Sequence, residues 1–256
     1  MSTEVNVRLE DGILLIGVNR PDKRNCVNRK TARLLVDAIK RLNEDPSVKI
    51  GILYGEGKHF CAGYDLSEVS DFEKTRMEAS TSQDFRYMGP SIMNLEKPLI
   101  AAVEGYAVAG GLELALMADI RVCGRTATFG VFCRRVGVPL IDGGTVRLPR
   151  VIGLGRALHI ILTGEAVSSQ QALQWGLVTK IVDDGGALNC ATELARQIIS
   201  NPYNCMLADR RSVMSSFNLN TRDAMEFEFS SCTVIPEAVV GAEQFLERSH
   251  KNHSKL

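Results

Sequence analysis

The chain has 256 residues, 45% apolar and 23% charged, which is enough to bury one large core and ordinary for a globular protein. Its 30 basic and 30 acidic side chains cancel, which excludes a global field that would draw in nucleic acid or an acidic membrane surface. Seven cysteines without C-x-x-C spacing exclude a fully paired disulfide framework within one chain and read as reduced thiols, and no apolar run reaches membrane-spanning length.

Residues 6–10 and 12–18 alternate or run apolar around Asp11-Gly12, which predicts a β-hairpin. Apolar positions 32, 34, 35, 36, 39 and 42 predict an amphipathic helix over 28–42, stopped by Asp45-Pro46. A short strand is expected at 49–54, broken by Gly55 and Gly57. The loop HFCAGYDLSEV (59–69) then delivers Ala-Gly to a helix-like segment. Residues 70–82 are polar and read as a mobile stretch or a surface helix, and 83–95 reads as a helix ended by Lys97-Pro98.

The run PLIAAV (98–103) predicts a strand that feeds a small-residue loop and then an apolar helix opened by Gly110-Gly111. Strand, breaker, Ala-Gly and helix thus occur twice, at 49–69 and at 99–118. Short strands are expected at 120–122, 128–129 and 177–182, and a Pro/Gly loop at 138–144 carries Asp142. Helices are expected at 145–152, 155–162, 168–176, 187–200, 202–217, 221–232 and 236–249, with Ser168 and Gln171 forming a capping box. This order describes an α/β core over 1–195, a helical region over 196–249 and a flexible tail over 250–256.

The start of the Gly110 helix offers unpaired N–H groups and partial positive charge, which suit a developing negative charge. Residues three apart share a helix face, so Glu113 is expected to lean toward the N–H of Gly110. Leu112, Leu114, Leu116 and Met117 would desolvate that carboxyl and raise its pKa toward the range useful for moving protons. The duplicated loop offers a second backbone donor. The histidines at 59 and 159 fit no metal-ligand spacing, and neither G-x-S-x-G nor a P-loop is present.

Five segments, NRPDKRN (19–25), HFCAGYDL (59–66), EKPLIAAVEGYAVAGGLELALMADIRV (96–122), DGGTVRLPRVIG (142–153) and LTGEAVSSQQALQWGLVTKIV (162–182), resemble in this order the crotonase, or enoyl-CoA hydratase/isomerase, superfamily. The resemblance implies a right-handed spiral of ββα turns with a helical C-terminal region that serves oligomerisation and lids the pocket, assembled as a trimer or hexamer. It implies an acyl-CoA thioester as substrate, with no further cofactor and no metal. The thioester oxygen would be held by the N–H groups of Tyr64 and Gly110, bedded among Ala62, Gly63, Asp65, Leu66 and Gly111. Arg24 would lie near the CoA phosphates or adenine, and Glu113 would be the first acid/base.

Hydratases of this superfamily carry a second Glu, and counting without gaps from Glu113 places Cys133 there. The nearest replacement is Asp142, which the sequence leaves open between second carboxylate and helix N-cap. Arg134 and Arg135 read either as structural ion-pair partners or as readers of a carboxylate on a polar acyl chain. The resemblance implies a 2-enoyl-CoA hydratase of fatty acid oxidation, with enoyl-CoA isomerase or acyl-CoA decarboxylase as alternatives that gain from the missing Glu. Outside that chemistry stand RNA binding through Arg29, Lys30, Arg33, Lys40 and Arg41, and a non-catalytic homologue. The final Ser254-Lys255-Leu256 matches the peroxisomal address read by an import receptor, so a peroxisomal location is expected.

Overall fold

The apolar runs near the N-terminus become the middle of a sheet. A computed structural model describes residues 3–71, 85–232 and 236–253. Strands β1 (Val5–Glu10) and β2 (Ile13–Val18) pair antiparallel across Asp11-Gly12, as the hairpin signal predicts. β2 is buried along its whole length, and it continues in parallel through β3 (Ile50–Gly55), β4 (Leu99–Val103), β6 (Ile120–Gly124) and β9 (Lys180–Val182). Strands covered on both faces read as unbroken apolar runs, and ILLIGV and LIAAV do so. A second sheet holds β5 (Tyr106–Val108), β7 (Thr128–Gly130) and β8 (Ala166–Ser168), the first pair parallel and the second antiparallel. The chain lays β4 in one sheet and β5 in the other, turns through a helix, and repeats with β6 and β7. That is a spiral of ββα turns.

Helix α1 (Arg29–Glu44) buries Leu35, Val36, Ile39 and Leu42 on one face, and Asn28 caps it by accepting from the Thr31 N–H. Of its cations, Lys30 pairs with Glu4 at 3.6 Å and Arg41 with Asp45 at 3.4 Å, and Arg29, Arg33 and Lys40 also have partners. The short α2 (Gly110–Ala115) follows β5 and is buried throughout. Then come α3 (Gly144–Ile152), α4 (Leu154–Thr163), α5 (Ser169–Gln174) and α6 (Ala187–Ile199). Both halves of the Ser168/Gln171 capping box are formed. The chain divides into two compact units at Ala195/Arg196, and the second holds α7 (Tyr203–Ser216), α8 (Thr221–Cys232) and α9 (Pro236–His253).

The helix expected over 83–95 is not there in its described part, residues 85–95. Gly89 takes φ +85°, Pro90 cannot donate, and Arg86 and Gly89 exchange two backbone hydrogen bonds of 2.8 Å. The spacing of Phe85, Met88, Ile92 and Leu95 imitates a helix, and the Gly-Pro pair overrides it. β9 begins later than expected because the N–H groups of Leu177 and Val178 both turn back to the Ala172 carbonyl. The surface stretch expected at 70–82 lies, from residue 72 on, outside the described residues, as does Ser254-Lys255-Leu256. α9 continues to His253, past the expected start of the tail at 250.

Candidate active site

The two Ala-Gly loops meet. The first, after β3, is strapped to β5: the Cys61 N–H donates to the Tyr106 carbonyl (2.8 Å) and the Val108 N–H to the Cys61 carbonyl (3.1 Å). Its other side is tied to the early NRP segment, where the Val27 N–H donates to Gly63 and the Asp65 N–H to Val27, each at 2.8 Å. The second loop turns at Ala109, whose φ of 54° and ψ of −126° lie outside the regions open to a residue with a Cβ. A hydrogen bond from its N–H to Gly130 (2.9 Å) holds it there. Strain of this kind costs about 1–3 kcal/mol and gathers at functional sites.

Glycine is required where the loops touch. A Cβ on Gly111 would collide with the Cys61 carbonyl, and one on Gly63 would lie 3.1 Å from the Gly110 nitrogen. Gly110 is the first residue of α2, so its N–H has no acceptor within that helix. Tyr64, Ala62 and Gly110 line one cavity of about 470 Å³.

Glu113 does not hydrogen-bond to Gly110. Its Oε1 accepts the N–H groups of Asp142 (2.9 Å) and Gly144 (2.8 Å), across the loop that opens α3. This needs Gly143 at φ +99° and no side chain on Gly144, whose Cβ would sit 2.9 Å from the same oxygen. Glu113 is 2% exposed, and its carboxyl is pushed up to about 7, first by burial and then by the charge of Asp142. Among the described residues its Oε2 accepts no hydrogen bond, while the residue lines the cavity.

Asp142 is not a cap. The N-cap of α3 is Gly143, with no side-chain hydrogen bond, and the Asp142 Oδ1 instead accepts the Met88 N–H (2.9 Å) and the Ser91 hydroxyl (2.5 Å). At 1% exposure its carboxyl is raised by burial, while Ser91, the Met88 N–H, Arg86 and Arg147 pull the other way. Its Oδ2 accepts no hydrogen bond among the described residues, and the residue lines the same cavity as Glu113. Each of the two carboxylates therefore commits one oxygen to structure, and both residues line the cavity.

Cys133, at the position counted for a second Glu, lies in a 3-10 turn (Phe132–Val136) and also lines the cavity. Burial, then the charge of Glu113, raises its thiol and keeps it neutral. Arg134 and Arg135 are not among the residues that line the cavity. Arg134 donates to the Ile161 carbonyl and Arg135 to that of Gly164, with the Arg135 guanidinium 3.9 Å above the Phe132 ring.

Of the other residues expected at the site, Leu66 and Arg24 line the cavity. Gly63 and Gly111 lie behind it as loop contacts, and Asp65 is engaged by the Arg20 guanidinium at 2.8 Å and the Ser67 hydroxyl at 2.7 Å. Asp65 is thus a strut of the loop. The sequence reading missed the walls, Tyr87, Met88, Phe132, Val138 and Ile141, together with Ser91 and Arg147 behind Asp142. The Gly89-Pro90 turn was the available signal for Tyr87 and Met88. The described residues contain no cluster fit for a metal ion.

The sequence pattern of the Enoyl-CoA hydratase/isomerase family matches residues 8–255. The chain is 30% identical over 251 residues to a crotonyl-CoA hydratase of Syntrophomonas wolfei, covering 95% of each. It is 34% identical over 206 residues to a carnitinyl-CoA dehydratase of Salmonella agona, covering 78% of this chain and 76% of that one. Among solved structures, an enoyl-CoA hydratase from Mycobacterium marinum superposes with a TM-score of 0.87 at 34% identity, over 96% of this chain and 97% of that one. One from Bacillus anthracis gives 0.87 at 28% identity, over 96% of each.

Proposed function

The chain belongs to the enoyl-CoA hydratase/isomerase family, and from that premise we propose that it adds water across the double bond of a 2-enoyl-CoA thioester, with Glu113 and Asp142 as the proton-carrying pair. The observation that supports this most is the pair itself, two buried carboxylates lining one cavity with Oε2 and Oδ2 unclaimed. Addition places the water oxygen on the β carbon and a proton on the α carbon, and builds enolate charge on the thioester oxygen. The N–H groups of Tyr64 and Gly110 receive that charge, each such donor contributing roughly 3–4 kcal/mol. Glu113, raised to about 7, shares one proton with Asp142 near neutrality: one carboxylate takes a proton from water while the other gives one to the α carbon.

The acyl end is apolar. Phe132, Val136, Val138, Pro139 and Ile141 wall it, and the two arginines that would have read a charged chain are spent on carbonyls. The decisive assay offers purified protein crotonyl-CoA and longer 2-enoyl-CoAs and follows loss of the conjugated thioester absorbance. Hydration that vanishes in Glu113→Gln is expected. Isomerisation of 3-enoyl-CoA with no hydration of any 2-enoyl-CoA would refute it.

Assembly as a trimer or hexamer is part of the same reading, supported by exposed apolar side chains on the second unit, Phe229 and Phe245 at 70% each. Sedimentation as a monomer at micromolar concentration would count against it. The reading extends to peroxisomal delivery through Ser254-Lys255-Leu256, supported by the match to the receptor-read tripeptide. A reporter carrying these residues at its C-terminus is expected in peroxisomes, and a cytosolic one would end that part.

A further inference from the structure

We infer that Arg147 is a positioning residue for the carboxylate pair: it locks the turn that holds Glu113 to the turn that Asp142 holds, and lends both carboxylates a fixed positive charge from outside the cavity. The inference rests on Glu113 being the group that carries the proton.

The geometry is a closed circuit of three segments. The N–H groups of Asp142 and Gly144 grip the Glu113 Oε1 at 2.9 and 2.8 Å. The Asp142 carboxylate grips the Met88 N–H and the Ser91 hydroxyl. Arg147, one turn into α3, closes the circuit through carbonyls: its Nη1 donates to Asp142 at 3.2 Å and its Nη2 to Ser91 at 2.5 Å. A guanidinium is suited to this because its planar fork carries several fixed donors. Any side chain at position 143 would collide with that guanidinium, so the glycine there serves the fork as well as the turn.

Arg147 is absent from the cavity lining and lies behind Asp142. Its effect must pass through Glu113 and Asp142. The charged or titratable groups facing this pair are Arg147, Arg86 and Cys133, besides the pair itself. Cys133 is kept neutral, and Arg147 is the cation that acts on both carboxylates. Removing a positive charge disfavours both anions, so both ionisations must move to higher pH.

Three measurements test this. With Arg147→Gln, both limbs of the kcat/KM pH profile are expected to move up by roughly one unit. With Arg147→Lys, which keeps the charge but reaches one carbonyl, the limbs stay while kcat falls about tenfold at constant KM. In protein carrying 13C-labelled glutamate carboxyls, the Glu113 signal, identified by its loss in Glu113→Gln, titrates at higher pH in Arg147→Gln. Unmoved limbs and an unmoved signal in folded Arg147→Gln overturn the proposal. If that variant does not fold, a folded Arg147→Lys with unchanged kcat, or with loss confined to KM, overturns it. The carboxyl titration needs no turnover, so it judges Arg147 even if no enoyl-CoA is hydrated.

Discussion

Glu113 and Asp142 are alike in burial and in having one oxygen tied by two donors, yet they are held in opposite senses. Glu113 rides on a helix and receives two main-chain N–H groups from 29 and 31 residues away. Asp142 sits in that same turn and uses its own carboxylate to fasten another, through Met88 and Ser91. The first is a passenger of the scaffold and the second is part of it. The Asp142 carboxyl is therefore expected to matter to folding as an acceptor, whereas the fold does not need the charge of Glu113.

The largest expected effect breaks the pair at Glu113. Glu113→Gln keeps an oxygen for the two N–H groups, so the fold should persist while kcat for hydration drops about 10²–10⁴-fold. Steady-state rates beside a thermal unfolding curve check both halves. Next, Asp142→Ala is expected to cost at least about 10² in kcat and also to lower Tm, because it leaves the buried Met88 N–H and Ser91 hydroxyl without their acceptor. An unchanged Tm would erase the distinction between the two residues.

A third measurement uses stability alone. Glu113 is raised from 4.5 to about 7 in the folded chain, so its contribution is whole below 4.5 and is lost as pH rises toward 7. Denaturant titrations should find Glu113→Gln gaining on the parent over that window, by up to roughly 3 kcal/mol above pH 7. The smallest effect sharpens the comparison from behind. Ser91→Ala removes one donor from Asp142, lowering stability by about 1–3 kcal/mol and moving the acid limb of the rate profile upward. The alkaline limb should stay in place.

What the sequence disclosed was local. The Asp11-Gly12 hairpin and the Ser168 capping box are written in adjacent residues, and the structure has both. Both Ala-Gly loops were legible for the same reason. Asp142 was not, because a cap and a buried carboxylate before Gly-Gly look identical until the distant Ser91 is brought near. The Ser91–Asp142 and Arg147–Ser91 contacts carried no signal, since they span 51 and 56 residues of chain. The helix expected over 83–95 fails in its described part, 85–95, because Gly89-Pro90 outweighs the apolar spacing.

The close approach of Gly111 to the Cys61 carbonyl sets backbone against backbone where the two loops touch. The distance separating the Tyr64 and Gly110 peptides is thus a ruler made of main chain, and exchange of neighbouring side chains does not recalibrate it. The walls at Phe132, Val138 and Ile141 are apolar residues outside those two loops. On the proposed function, a descendant of this chain can change which acyl group it accepts, one wall residue at a time, and inherit the instrument for stabilising the enolate unaltered.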